Sequence, residues 1–147
     1  MNKYFIYYSY TGNGDYLASE LEKNSYTIIK VEPLKPFGKL SFFKMLSLGG
    51  DAMFKKCRPI KELNLELKED DVVVIGSPIW NDRLSTPINS VLAKYQFSKE
   101  MTQFVLYPAG TTTKKSLKQI KALGFTKEPV VVPSPIKNQA TVIDKLA

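Results

Sequence analysis

Histidine is absent from this 147-residue chain, and cysteine and tryptophan occur once each. Without histidine, Ser-His-Asp and Cys-His nucleophilic chemistry are excluded, and so is the side chain that most often moves protons near neutral pH. The single Cys57 cannot close an internal disulfide, and one thiol without imidazoles is too few ligands for a structural zinc site. There is no run of about 18 uncharged apolar residues to form a transmembrane helix. The opening MNKYFIYYSYTG has neither the hydrophobic length nor the cleavage site of a signal peptide, so a cytoplasmic chain with no integral membrane segment is expected.

Acidic residues are also scarce, at 14 against 21 basic, for a net charge of +7 and a pI near 9.4. Residues 1–70 hold 11 basic and 9 acidic side chains, leaving 10 and 5 for residues 71–147, so most of the excess lies in the second half. A polyanionic partner must therefore be considered. Lys114, Lys118 and Lys121 share one helical face with Lys115 adjacent, the pattern of a solvated outer face. No RNA-recognition, zinc-finger or helix-turn-helix signature accompanies them, so nucleic acid is not the expected partner.

What is present is an ordinary globular composition, 44% hydrophobic and 24% charged, in a length that suits one domain over residues 1–147. The most informative stretch is Tyr4 to Leu21. An aromatic and β-branched run (Tyr4 to Tyr8) stops at a turn of hydroxyls and glycines, Ser9, Tyr10, Thr11, Gly12, Asn13 and Gly14, and Leu17, Ala18 and Leu21 then mark a helix face. Such a turn aims backbone N–H groups and the positive end of a helix dipole at one point, and its small side chains leave room for a phosphate.

Strands and helices alternate along the rest of the chain. Strands are predicted at 3–8, 26–31, 72–75, 102–107 and 129–132, and helices at 14–23, from Ser85 through Tyr95, at 112–123 and at 139–146. Segment 33–59, rich in Phe, Leu, Met and Lys, reads as the crossover helix between the second and third strands, broken at Gly49–Gly50, or as a basic aromatic docking patch. The pattern predicts an α/β doubly wound three-layer sandwich around a parallel sheet with right-handed crossovers. Ligands of such sheets bind beyond the carboxyl ends of the strands. Three segments meet that condition: Ser9 to Gly14, Ser77 to Arg83 with Pro78, Ile79, Trp80 and Asn81, and Pro108 to Thr113 with Ala109 and Gly110. Trp80, in a short polar loop, is placed to stack on a flat ring or to pack over a neighbouring loop.

Ser9-Tyr10-Thr11-Gly12-Asn13-Gly14 resembles the phosphate loop of the flavodoxin-like FMN proteins, Ser/Thr-x-Thr-Gly-x-Thr at the same strand-to-helix joint. Gly76-Ser77-Pro78-Ile79-Trp80, followed by Pro87, is similar to their Gly-x-Pro-x-Trp and helix-starting proline, and Pro108-Ala109-Gly110 falls where their third flavin loop belongs. The resemblance implies a five-stranded parallel sheet of order 2-1-3-4-5, a non-covalent FMN, and electron transfer through the exposed ring edge to a redox partner protein, acidic in view of the basic surface, or to a small-molecule acceptor. By that resemblance Ser9 to Gly14 hold the phosphate, Trp80 stacks on the ring, and Pro78, Ile79, Asn81, Ala109 and Gly110 line it. Gly14 departs from the pattern, because it replaces the hydroxyl residue that closes the loop. One hydrogen bond to a charged group, about 1.5–3 kcal/mol, is lost there unless something compensates. Asp15 is expected to point outward. Arg83, beside the ring loop, implies a less negative potential than that of acidic flavodoxins.

A dinucleotide fingerprint is only partly matched by Gly12-x-Gly14-x-x-Leu17 with Glu32 as the ribose acid, and Glu32 reads more simply as a strand-end charge. Two alternatives to an electron carrier stay open: a nicotinamide-dependent FMN or quinone-type reductase, and a flavin-free interaction module on the same fold.

Overall fold

Residues 1–38, 48, 50–51, 56–110 and 112–147 are described in a computed structural model. Strand β1 (Lys3–Tyr7) leads through the hydroxyl and glycine turn into helix α1 (Asn13–Lys23), and β2 (Thr27–Lys30) returns beside β1. Strand β3 (Val72–Trp80) folds back into a short β4 (Arg83–Leu84) and is followed by α2 (Thr86–Lys94), β5 (Thr102–Tyr107) and α3 (Lys114–Ala122). The chain ends in β6 (Val130–Val131), α4 (Pro135–Asn138) and a 3-10 turn, Ile143–Lys145.

The sheet runs β2-β1-β3-β5-β6, all parallel, with β4 bonded antiparallel to β3. Setting β4 aside as a hairpin arm, the parallel strands follow the expected order 2-1-3-4-5. Alternation along β1 shows why three layers form: Phe5 and Tyr7 face a core with Leu17, Leu21, Val74, Val105 and Val142, while Ile6 and Tyr8 face one with Ile75, Ile88, Val91, Phe104 and Ile120. A strand apolar on both faces is stable only between two layers. Helix α1 and the C-terminal segment therefore cover one face, and α2 and α3 the other.

Three expectations are corrected. First, β3 does not stop at Ile75 but continues to Trp80, because Asn81 (φ 48°) and Asp82 (φ 65°) form a two-residue turn with both residues left-handed, the geometry that suits a tight hairpin. Second, the helix expected over 139–146 is replaced by α4 and the 3-10 turn. Gln139 is left-handed (φ 46°), and the Glu20 carboxylate accepts the amides of Val142 (2.9 Å) and Ile143 (3.2 Å), which a helix would have needed. Third, Cys57, at a position that reads in the sequence as a helix end or a core residue, is exposed. Most of the crossover helix expected within 33–59 lies outside the described residues. Of that segment Leu48, Gly50 and Asp51 are helical and Leu48 is buried, and the break expected at Gly49–Gly50 involves Gly49, outside the described residues.

Candidate functional site

The turn after β1 is held from below by side chains. The Ser9 hydroxyl accepts the amides of Gly14 (3.1 Å) and Asp15 (3.3 Å), so it holds the start of α1 from four residues upstream and keeps its own hydrogen for another acceptor. Gly12 is left-handed (φ 94°), as the reversal from strand to helix requires. Among the described residues the amides of Tyr10, Thr11, Gly12 and Asn13 donate to no acceptor. The Asn13 side chain reaches sideways: its Oδ1 accepts the Ile136 amide at 3.1 Å, tying the turn to α4.

Asp15 turns away from the loop. It accepts the Tyr7 hydroxyl at 2.7 Å and pairs with Lys30 at 2.9 Å, so its negative charge is compensated beside β1 and β2. Burial, and then the bond to Asp15, hold the Tyr7 phenol well above its ordinary range. Beneath the loop lies Tyr107, whose hydroxyl donates to the Tyr8 carbonyl; burial, with Tyr7 and Asp15 nearby, holds its phenol well above the ordinary value too. The same hydroxyl explains the departure at Gly14. A Cβ there would stand 2.7 Å from Tyr107 Oη, 2.8 Å from Tyr7 Cδ2 and 2.9 Å from Ser9 Cβ, so any side chain fits only if these groups shift. Residue 14 is glycine because two tyrosines and a serine fill the space.

The second segment is the β3–β4 hairpin. Trp80 stands on β3, not in a loop, directly across from Arg83. Its indole meets Phe37 (5.4 Å, 89°), Tyr8 (5.8 Å, 81°) and Tyr10 (6.1 Å, 82°) edge to face, and the Arg58 guanidinium lies 3.9 Å above the Phe37 ring. Tyr10 thus joins the first loop to the hairpin. The Tyr8 phenol is raised, first by burial and then by Tyr10, against a smaller opposing effect of Arg58. Ile79 is buried in the core, and Pro78 begins side by side with Tyr107 on β5. The Asn81 carbonyl accepts from Arg83 at 3.3 Å, while Asp82 Oδ1 is buried without a partner among the described residues.

In the third segment Ala109 and Gly110 are exposed, Gly110 is left-handed (φ 82°), and the Pro108 carbonyl accepts the Ser134 amide at 2.9 Å. Thr111 lies outside the described residues. All three segments leave the carboxyl edge of the sheet, as predicted, with the first two in direct ring contact. Glu32 pairs with Lys61 at 3.2 Å, as a strand-end charge does. Sequence reasoning missed Phe37, Arg58, Tyr107 and Ile136, all of which come to the site from remote segments. Only the clustering of aromatic and basic residues around Phe37 gave a sign in advance.

No protein-family model matches the chain, and no curated protein matches it. Solved structures do. A flavoprotein from Lactobacillus acidophilus in complex with FMN superposes with a TM-score of 0.64 at 19% identity, over 93% of this chain and 97% of that one. The apo form of the flavoprotein from the same organism, solved by NMR, gives 0.63 at 19% over 95% and 97%. A candidate flavoprotein from Bacteroides eggerthii gives 0.63 at 22% over 89% and 87%. With its parallel order 2-1-3-4-5 and its loops at the carboxyl edge, the chain has the flavodoxin-like α/β fold of these structures.

Proposed function

We propose that this chain is a single-domain flavoprotein that holds FMN without a covalent bond and passes electrons through it to a partner protein or a small acceptor in the cytoplasm. The observation that carries the reading is the turn between β1 and α1, where four successive amides, Tyr10 to Asn13, have no acceptor among the described residues, next to a helix start held by the Ser9 hydroxyl. That donor set suits a terminal phosphate monoester. The Ser9 hydroxyl adds a donor, Gly12 lets the backbone approach closely, and Lys30 compensates the one nearby acid. Gly14 contributes its position rather than a side chain, so the expected loss of a hydroxyl contact stands, and the amides supply the binding.

When bound, FMN supplies the one- or two-electron chemistry. The chain's residues would bind, orient and tune it. Trp80 offers the flat surface beside the first loop, Ile79 and Asn81 offer backbone groups, and the exposed Ala109–Gly110 turn borders the other edge. Arg83, across from Trp80, places positive charge there and favours a less negative potential. No side chain is needed as a general acid or base, in keeping with the absence of histidine.

A flavin-free interaction module is favoured by one observation: the turn and the indole are already partnered internally, by Ser9 and by three aromatic rings. The two readings are separated by denaturing the purified protein and identifying what it releases by chromatography. The proposal expects FMN, from the protein as isolated or after incubation with a flavin mixture. FAD alone, or no flavin after reconstitution, contradicts it.

A further inference from the structure

The lysines of α3 do more than decorate a solvated surface. Lys118 and Lys121 stand on the rim of a groove of about 600 Å³ between α3 and residues 124–129, with Lys127 on the same groove. The floor is apolar, made by Leu117, Ile120, Phe125 and Pro129. A second hollow of about 350 Å³ adjoins it through the shared Phe125, and there Lys99 lies 4.1 Å above the Phe125 ring. Five ion pairs occur among the described residues, and none involves Lys114, Lys115, Lys118, Lys121 or Lys127. Among the described residues that line the groove, the only acid is Glu128.

We infer that this groove is the docking site for an acidic, leucine-bearing helical segment of a partner protein. Charge complementarity selects the acid: clustered lysines that outnumber the one acid on the groove, and that enter no ion pair among the described residues, steer an anionic partner and are screened by salt. The floor selects the apolar residues, because a recessed surface of Leu117, Phe125 and Pro129 gains by burial only from side chains that reach into it. That geometry disfavours the other polyanions. A bilayer is too flat to enter a concave floor, and a nucleic-acid duplex keeps its bases stacked inside and presents chiefly its charged backbone, so only a single strand competes, which the oligothymidylate arm of the test addresses. The face also has no arginine, the side chain best suited to gripping phosphate from two sides. Helix α3 runs from the Pro108–Thr113 turn at the carboxyl edge to residues 124–129, which lead into β6 at the amino edge, so on the FMN reading a partner seated here would lie toward the end of the sheet opposite the flavin site. The groove itself does not depend on that reading.

The test uses the full chain, isotopically labelled, titrated with a synthetic helical peptide of glutamate and leucine, about 15 residues long. Saturable shifts confined to the α3 and 124–129 resonances, including Lys118, Lys121 and Phe125, are expected. The double variant Lys118→Glu/Lys121→Glu should weaken binding by about tenfold or more at low salt. Equal binding by polyglutamate of the same charge, tighter binding by oligothymidylate or phosphatidylserine vesicles, shifts spread over the whole basic surface, or no binding would each overturn the inference. A parallel FMN titration of the double variant should match the parent. Because the peptide is tested with and without FMN, failure at the groove and failure of the flavin reading are seen separately.

Discussion

Replacing Gly14 with alanine sets two physical effects against each other with opposite signs. Position 14 lies in the first turn of α1, and in an open helix glycine to alanine stabilises by about 1 kcal/mol. Here the added methyl would stand 2.7–2.9 Å from Tyr107 Oη, Tyr7 Cδ2 and Ser9 Cβ, groups set in the core, in the strand and in the cap. Overpacking of this kind costs about 1–3 kcal/mol, and three contacts at once argue for the upper part of that range. The variant should therefore lose about 1–2 kcal/mol net, a fall in melting temperature of roughly 2–8 °C for a chain of this size. Urea titration followed by Trp80 emission measures the loss. Gly14→Ala/Tyr107→Phe, which removes the nearest atom, should recover part of it. The larger Gly14→Thr should be less stable than Gly14→Ala and bind FMN no better than the parent, although it restores the flavodoxin pattern. A Gly14→Ala protein as stable as the parent, or more so, would refute the packing explanation.

Other outcomes follow from the same geometry. Ser9→Ala removes the acceptor for two helix amides and should cost about 1 kcal/mol in urea titration, while weakening FMN binding further than that loss of stability explains. Asp82→Gly turns the hairpin into an Asn-Gly turn and deletes a carboxylate oxygen buried without a partner among the described residues, so it should raise stability by about 1 kcal/mol, read by thermal melting. Tyr7, Tyr8, Tyr26 and Tyr107 all have phenols raised chiefly by burial. Their folded values exceed their unfolded ones, so their protonated forms support the fold fully below about pH 10, and that support is lost as pH rises through the folded values, at up to about 1.4 kcal/mol per pH unit for each. Tyrosinate absorbance against pH should accordingly show ionisation coupled to unfolding, with a shallower loss of stability in Tyr107→Phe.

The elements of the sheet were legible because the information is local, whereas the strand order followed from the family resemblance. Val72 to Ile75 is β-branched on both faces, Pro87 opens a helix, and the turn from Ser9 to Gly14 carries its own backbone chemistry. What was not legible depended on distant partners. Trp80 looked like a loop residue because Asn81-Asp82 lacks the glycine that usually marks a two-residue hairpin. The periodicity over 139–146 suggested a helix, but the Glu20 carboxylate, from the far end of α1, captures its amides. Gly14 read as a lost hydroxyl contact because nothing in its neighbourhood along the chain reveals Tyr107, 93 residues on, whose hydroxyl occupies the space.

The central claim is that the turn after β1 binds a terminal phosphate, and the most direct measurement is Trp80 fluorescence during titration with FMN and, separately, riboflavin, which differ only in that group. Two or more charge-assisted hydrogen bonds of about 1.5–3 kcal/mol each predict FMN affinity at least about a hundredfold above that of riboflavin. Equal quenching by the two flavins, or none by either, would contradict the account.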